Sequence, residues 1–406
     1  MKIVFITTSL ARGGADNLIL ATAKIFTDNN YDVLLYTQKR SKKRNFDFDK
    51  FNECNCSIKM PNIFIENLNL LFSYLAFPLI LFMDFNYYCK NYNLKSILKI
   101  IKKCQLNAFE CLSRYYLIMR ITFNHYFKKY DYLFLFHYSN ILSGIYLSKI
   151  IRGKIIYIEI SSPKWRSINK IIPYRQNKFI QKNINKSYIA IVVPSETIKN
   201  EFLDSYSTAK LIHIIPFFVE LDKTNFTYKP KHYIYGMIGR LVKEKGFDTL
   251  IKSLKILYED EINYKLYILG DGPEKNNLLL LAKLLGVEEY LTIYPPETTV
   301  KEFMSMIDLI TSMSHVEGMS LTLIEALAYS KPIIATNVGS NSSMVVDGKN
   351  GYLLEQPDEY LLAKNIKDIL SNKILYDNFS TASHAFYNEI FSMQAIRDKY
   401  YTLLTI

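Results

Sequence analysis

Apolar runs of strand length alternate with longer amphipathic stretches along most of this chain. Residues Lys2–Thr7 and Tyr132–Phe136 are nearly continuous apolar runs, which are typical of strands buried in a parallel sheet. Two glycines follow the first run, and then a helical pattern over 15–29 and a second apolar run over 31–37. This order predicts a β-α-β unit at the start of the chain.

The same alternation continues to the C-terminus. Further strands are predicted over 154–160, 189–194, 211–216, 233–238, 265–269, 306–310 and 332–335. Helices are predicted between them over 139–150, 246–258, 274–285 and 320–329, with Ser195 as the cap of another and a last one over 393–404. Strands that alternate with helices form parallel sheets, so the chain is predicted to be an α/β protein.

The length of 406 residues exceeds what one hydrophobic core organises, so two Rossmann-like domains are predicted. The N-terminal domain is placed at 1–220 and the C-terminal domain at 232–390. A polar linker at 221–231 contains Pro230, and a final helix occupies 391–406.

An unusual segment over about 62–130 interrupts the first domain. Residues 70–83 are nearly all apolar, but a helix needs about 20 such residues to span a bilayer. Five lysines between Lys90 and Lys103 then interleave with Ile and Leu, which is typical of a basic amphipathic helix at a membrane surface. The alternative is a helix that packs on its own domain with its lysines in water.

Charge is unevenly distributed between the two halves. Up to Glu220 the chain has 31 Lys and Arg against 15 Asp and Glu, a net of +16, and the remainder has 19 against 23, a net of −4. A basic N-terminal half favours an anionic partner such as acidic lipid headgroups, a pyrophosphate-linked acceptor or nucleic acid, although it is also compatible with a merely solvated surface. The apolar start, Ile3–Thr7, has the length of a strand and is too short for a signal peptide. The five cysteines form no C-x-x-C pair. We therefore expect free thiols in a reducing cytoplasm.

Of two acidic residues with seven residues between them, Glu317 closes a predicted loop and Glu325 lies on the helix that follows it. Free backbone N–H groups at a helix start favour an anion in the loop. A carboxylate beside such a turn accepts hydrogen bonds from hydroxyl groups. The pattern therefore indicates a ligand with both hydroxyls and phosphate, such as a nucleotide-sugar.

The segment 317–336, E-G-M-S-L-T-L-I-E-A-L-A-Y-S-K-P-I-I-A-T, resembles the donor-site signature of the retaining glycosyltransferase family 4. Three further segments agree in order. The segment 239–246 resembles the phosphate-binding G-R-L-x-x-x-K-G of the family, 270–273 its G-D-G-P turn, and 13–16 its G-G-A-E loop. The glycine expected after Gly339 is here Ser340.

This resemblance implies a GT-B fold, in which two Rossmann-like domains face each other across a cleft and the final helix packs back on the first domain. It implies that Arg240 and Lys245 neutralise the leaving diphosphate without a metal, and no D-x-D metal motif follows a predicted strand. It also implies that Glu317 holds hydroxyls of the donor sugar and Glu325 those of the ribose. The remaining donor-binding candidates are Gly13, Gly14, Gly318, Met319, Ser320 and Leu321.

Polar residues at the ends of predicted N-terminal strands are candidates for the reacting centre. His137 falls where the family places a histidine near the donor sugar, although a lone histidine at a strand end is often structural. Glu159 ends the next strand and could orient an acceptor hydroxyl. Ser161 and Arg166 are further acceptor-side candidates.

These observations predict a cytoplasmic retaining glycosyltransferase, peripheral on the inner face of the inner membrane. We expect it to transfer a sugar from a UDP-sugar to a lipid-linked glycan of a bacterial O-antigen, capsule or lipopolysaccharide. No metal cofactor is expected. No nucleic-acid-binding motif occurs, so nucleic acid is not expected as a partner. Two alternatives stay open: a sugar-nucleotide 2-epimerase of similar fold, and a non-catalytic protein that binds polyanions or membranes.

Overall fold

The computed structural model describes residues 1–7, 14–37, 56–59, 130–149, 153–168, 174–206, 211–220, 233–259 and 263–406. The chain divides into two compact units. Unit 1 comprises Met1–Glu159, Pro173–Val192 and Thr208–His213, and unit 2 comprises Ile160–Ile172, Val193–Ser207 and Ile214–Ile406. The predicted membrane-facing segment over 62–130 and the linker over 221–231 lie almost wholly outside the described residues.

A seven-stranded sheet forms the centre of unit 1 within the described residues, in the order β3-β2-β1-β4-β5-β6-β7. From β3 through β2, β1, β4 and β5 to β6, each strand pairs in parallel with the next in this order. The strands are β1 Lys2–Thr7, β2 Asp32–Thr37, β3 Ser57–Lys59, β4 Tyr132–Phe136, β5 Lys154–Ile158, β6 Ala190–Val193 and β7 Ile212–Ile214. The helices along this part of the chain are α1 Gly14–Thr27, α2 Ile141–Leu147, α3 Pro163–Ile168, α4 Tyr174–Ser187 and α5 Glu196–Ser205. Of these, α3 and α5 fall in unit 2.

Unit 2 contains a six-stranded parallel sheet in the described part of the chain, in the order β10-β9-β8-β11-β12-β13. Its strands are β8 Ile234–Ile238, β9 Lys265–Leu269, β10 Leu291–Tyr294, β11 Leu309–Ser312, β12 Ile333–Thr336 and β13 Gly351–Leu354. Its remaining helices are α6 Phe247–Tyr258, α7 Lys275–Leu285, α8 Val300–Met306, α9 Leu321–Ala328, α10 Glu359–Ser371, α11 Lys373–Phe386 and α12 Met393–Thr402. A π-helical turn, Tyr387–Phe391, joins the last two.

The core of unit 2 is apolar and continuous from the sheet into α6, α7, α10 and α11. Two residues of opposite charge, Lys331 and Asp308, are buried at the amino-terminal edge of the sheet. Lys331 is 2% exposed, and its Nζ donates to the carbonyl of Ile307 at 2.7 Å. Burial lowers the pKa of this ammonium, and the nearby Asp308 carboxylate opposes the shift.

The last helix, α12, belongs to unit 2, where the Tyr400 ring packs edge-on against Phe218. The hydroxyl of Tyr387 in the π-helical turn donates to the carbonyl of Val219 at 3.0 Å. Residues 217–220, which lead out of the first half of the chain, are therefore fixed by the C-terminal end of the chain.

The predicted fold class, two Rossmann-like α/β units, is confirmed. The strand predicted over 306–310 is wrong at its start, because Met306 ends α8 and β11 begins at Leu309. A short buried helix and a buried strand have the same apolar pattern, so the pattern alone does not separate them. The helix predicted over 139–150 is shorter than expected, since a 3-10 turn over Tyr138–Asn140 precedes α2.

None of the helices in the described residues has both the length and the apolarity needed to cross a membrane.

Candidate functional site

Four loops at the carboxyl-terminal edge of the unit 2 sheet, those after β8, β9, β11 and β12, are joined by close backbone contacts. The loop after β8 is bound to the loop after β11, because the amide of His315 donates to the carbonyl of Glu244 at 2.8 Å. Gly246 has φ +69°, and a Cβ atom there would lie 2.0 Å from the carbonyl oxygen of Met313. Only glycine satisfies both the left-handed backbone and this approach. Lys245 is thereby placed against the loop that contains Glu317.

The turn at Gly270–Gly272, which follows β9, also packs against the loop after β8. A Cβ on Gly270 would lie 1.9 Å from the carbonyl oxygen of Gly239, and one on Gly272 would lie 2.4 Å from that of Leu241. The amide of Leu241 donates to the carbonyl of Asp271 at 2.9 Å. The two glycines therefore support the backbone around Arg240.

Lys245 and Glu317 form an ion pair between Nζ and Oε1. Both side chains are largely covered, with 26% and 13% of their surface exposed. The hydroxyl of Ser314 donates to the same Oε1 at 3.0 Å. Two donors thus converge on one carboxylate oxygen, and Oε2 has no protein partner within the described residues.

Arg240 differs from Lys245 in its environment. Its side chain is exposed and makes no hydrogen bond or ion pair with any described residue. An exposed guanidinium has five donors in a planar fork, which suits bidentate binding of a phosphate.

The loop that contains Glu317 leads directly into α9. The cap residue, Ser320, makes no side-chain hydrogen bond to the first turn, so the amides that begin at Leu321 are available to an anion. Met319 is buried, and its sulfur accepts from the amide of Phe217 at 3.4 Å. Glu325, one turn into the helix, is half-buried. Glu317 and Glu325 are thus separated by one loop and one helical turn, as the spacing predicted.

The loop after β12 packs directly on the Glu317–Gly318 backbone. A Cβ on Gly339, which has φ +57°, would lie 2.4 Å from the carbonyl oxygen of Glu317. The amide of Ser340 donates to the carbonyl of Gly318 at 2.8 Å. The Ser340 hydroxyl is also within 2.7 Å of the Ser195 hydroxyl, and both residues are buried.

Ser161 and Arg166, which the sequence placed on the acceptor side, adjoin this loop. A Cβ on Gly318 would lie 3.4 Å from the Cα of Ser161. Arg166 is 2% exposed, and its guanidinium donates to the Ser161 hydroxyl at 2.6 Å. The two residues and Gly318 therefore form one connected group within unit 2.

The remaining candidates lie in unit 1. His137 follows β4 with φ +73°, a strained conformation for a residue with a side chain, and the Asn140 side chain closes the turn, because its Nδ2 donates to the Phe136 carbonyl at 2.7 Å. Glu159 is fully buried and accepts from the Tyr157 hydroxyl at 3.0 Å. Gly14 begins α1, and Gly13 lies outside the described residues.

Among the residues that the structure describes, His, Cys, Asp and Glu side chains do not form a group of three or more that could hold a metal ion.

Sequence reasoning missed three serines at this site. Ser314 binds Glu317, and the Ser195–Ser340 pair fixes the neighbouring loop. The one available signal was the position of Ser314, two residues beyond the end of a buried strand and three before Glu317. Its bond to Glu317 depends on the loop conformation, which apolar periodicity does not encode.

Comparison with known proteins finds a family match within unit 2. Residues 220–385 match the family Glycosyl transferases group 1. The chain is 32% identical over 237 residues to an N-acetyl-alpha-D-glucosaminyl L-malate synthase of Bacillus anthracis, which covers 56% of this chain and 62% of that protein. It is 26% identical over 234 residues to a poly(ribitol-phosphate) alpha-N-acetylglucosaminyltransferase of Staphylococcus aureus, which covers 56% of this chain and 46% of that one. The match therefore spans about half the length of these curated relatives.

Other similar proteins are bacterial glycosyltransferases of polysaccharide synthesis. A lipopolysaccharide core biosynthesis glycosyltransferase of Rhizobium meliloti is 29% identical over 186 residues, 46% of this chain and 54% of that one. Among solved structures, Anabaena Alr3699/HepE in complex with UDP and glucose superposes with a TM-score of 0.74 at 16% identity, over 100% of this chain and 99% of that one. S. aureus TarM superposes with a TM-score of 0.73 over the same shares. These likenesses establish the GT-B fold.

Proposed function

We propose that this protein is a retaining glycosyltransferase that transfers a sugar from a nucleotide-sugar, with UDP as the expected nucleotide. The observation that carries the proposal is the arrangement around Lys245. The Lys245 ammonium, on the loop that follows β8, is paired with Glu317, whose Oε1 also accepts from the Ser314 hydroxyl, and the open start of α9 follows the loop that contains Glu317. The ammonium and the helix start suit a phosphate group, and the carboxylate suits a hydroxyl group.

Transfer breaks the bond between the anomeric carbon of the sugar and an oxygen of the diphosphate. Negative charge builds on the diphosphate as this bond lengthens. The Arg240 guanidinium, the Lys245 ammonium and the first-turn amides of α9 would stabilise that charge without a metal ion. Each fixed donor of this kind typically contributes about 3 kcal/mol to the transition state.

The two carboxylates take the hydroxyl groups of the donor in this proposal. Glu317 offers one oxygen, Oε2, to a hydroxyl of the sugar. Glu325 accepts from the ribose. A sugar hydroxyl and a diphosphate bound in this way would explain why a cation on the loop after β8 lies against an acid on the loop after β11.

The acceptor that we propose is a lipid-linked glycan of a bacterial surface polysaccharide. The similarity of this chain to lipopolysaccharide core and capsular polysaccharide biosynthesis glycosyltransferases supports this class. The net charge of +16 up to Glu220 and the basic amphipathic pattern within 62–130 support binding at an anionic inner-leaflet surface. The same similarity favours sugar transfer over the 2-epimerase and the non-catalytic alternatives.

The test is a calorimetric panel of UDP, GDP, ADP and their glucose conjugates. We expect one nucleotide and its conjugate to bind the wild type selectively. Arg240→Ala should weaken that nucleotide about 100-fold, the usual loss for one charge-assisted phosphate contact. Glu325→Ala should weaken it as well.

Lys243→Ala is the matched control, because Lys243 is an exposed cation of the same loop and its removal changes the net charge equally. Equal losses in Lys243→Ala and Arg240→Ala would show that only general electrostatics is at work. Absence of binding by every compound of the panel would contradict the proposed function.

A further inference from the structure

In the described part of the chain, Ser314 and Lys245 donate hydrogen bonds to Glu317, and Ser314 is the more deeply buried of the two. It is fully buried, and its own carbonyl accepts from the Thr336 hydroxyl at 2.6 Å. Its hydroxyl therefore approaches Oε1 of Glu317 from a position that two strands fix. Lys245, the other donor to that oxygen, reaches it through a long flexible side chain that is about one quarter exposed.

Ser314 and Lys245 would interact differently with a bound nucleotide-sugar. The inference rests on the proposed function, in which the Lys245 ammonium neutralises the diphosphate. An ammonium that turns toward a diphosphate weakens its bond to Glu317, because both acceptors compete for the same charge. Ser314 then remains as the fixed donor to Oε1.

We propose that Ser314 is a positioning residue that keeps the Glu317 carboxylate in place for the sugar when Lys245 binds the diphosphate. Its bond to Oε1 leaves Oε2 as the oxygen that accepts from a sugar hydroxyl. A side chain that lost this bond would rotate about its last torsion, which is broad for a carboxylate. Ser314 thus acts on the sugar half of the ligand and only indirectly on the nucleotide half.

The test measures the advantage of each nucleotide-sugar over the bare nucleotide. UDP, GDP and ADP and their glucose conjugates are titrated into wild type and Ser314→Ala by calorimetry. We expect Ser314→Ala to weaken the preferred glucose conjugate about tenfold and to leave the bare nucleotide within about twofold, as for the loss of one hydrogen bond to a charged group. Ser314→Thr retains the hydroxyl and should restore most of the lost affinity.

Ser253→Ala is the matched control for loss of a buried hydroxyl. Ser253 is also fully buried, and its hydroxyl donates to the Leu250 carbonyl at 2.8 Å inside α6. A merely structural role of Ser314 would make the two alanine variants alike: both would lower the melting temperature and neither would change the selectivity for the conjugate.

A double-variant cycle with Glu317→Ala decides the case even if Ser314→Ala is less stable. Without the carboxylate, Ser314→Ala should cause no further loss of the preference for the conjugate. Full additivity, or equal weakening of the nucleotide and its conjugate, would overturn the inference while leaving the proposed function intact. A wild type that binds none of the six compounds would overturn both.

Discussion

Replacement of Glu317 by Gln should tighten the binding of a nucleoside diphosphate. The carboxylate shares the Lys245 ammonium in the ligand-free protein, so a diphosphate that arrives at Lys245 meets a negative charge already in place. Gln has the same shape and can still accept from Ser314 and Lys245, but it carries no charge. The substitution therefore removes repulsion while it retains the hydrogen bonds.

The size of this effect follows from the geometry of the pair. Two acceptors on one ammonium lie about 5 Å apart, at which unit charges repel by about 3 kcal/mol in an effective dielectric of about 20. Lys245 and Glu317 are 26% and 13% exposed, so solvent screens part of this energy. We expect about 1–2 kcal/mol, which is a gain of about 5- to 30-fold in affinity for UDP.

The assay is calorimetric titration of UDP at about 50 mM and about 500 mM NaCl, since the gain should shrink as salt screens the pair. Glu244→Gln is the control, because Glu244 precedes Lys245, is exposed and loses the same charge. Sugar transfer from the conjugate should be slower in Glu317→Gln, despite the tighter nucleotide. UDP affinity that is unchanged or weaker in Glu317→Gln would refute the assignment of Lys245 to the diphosphate. Equal gains in both variants would assign the effect to net charge alone.

Two further predictions concern stability. Gly246→Ala should lower the free energy of unfolding by several kcal/mol and weaken nucleotide binding, because its Cβ would lie 2.0 Å from the Met313 carbonyl oxygen. Gly286→Ala, at φ +68° with open space around it, should lower it by only about 1 kcal/mol in thermal unfolding. Equal losses in the two variants would contradict this account. Burial lowers the pKa of Lys331 to about 7, with Asp308 opposing the shift. Between about pH 7 and pH 9.5 the unfolded chain therefore binds more protons than the folded one, and stability rises with pH by up to about 1.4 kcal/mol per unit. Lys331→Met should flatten this rise in urea unfolding, and an unchanged slope would assign it to other groups.

Sequence patterns predicted the buried strands best. The bounds of β1, β4 and β9 agree with the predicted runs, because strands covered on both faces of a parallel sheet are apolar throughout. The region before β11 was less predictable. Thr299 and Glu302 form a capping box at the start of α8, and this T-x-x-E spacing was the available signal against a strand at Met306.

The candidate site was predictable in its charged members but not in the three missed serines or in its contacts. The spacing of Glu317 and Glu325 and the glycines of the β8 loop are properties of the sequence. The meeting of Lys245 with Glu317 joins residues 72 positions apart, and it requires the carbonyl of Met313 to lie against Gly246. Contacts of this kind depend on how two loops pack, which no local pattern encodes.

Unit 2 is built from three separate stretches of the chain, which has a consequence for fragments and for recombination. The stretch that matches the family begins at residue 220, yet unit 2 also includes Ile160–Ile172 and Val193–Ser207. A fragment that started at Glu220 would lack the Ser195 partner of Ser340 and the Ser161 neighbour of Gly318. Such long-range contacts raise the contact order, which generally slows folding. Recombination that exchanged the two halves at residue 220 would therefore separate residues that contact one another within unit 2.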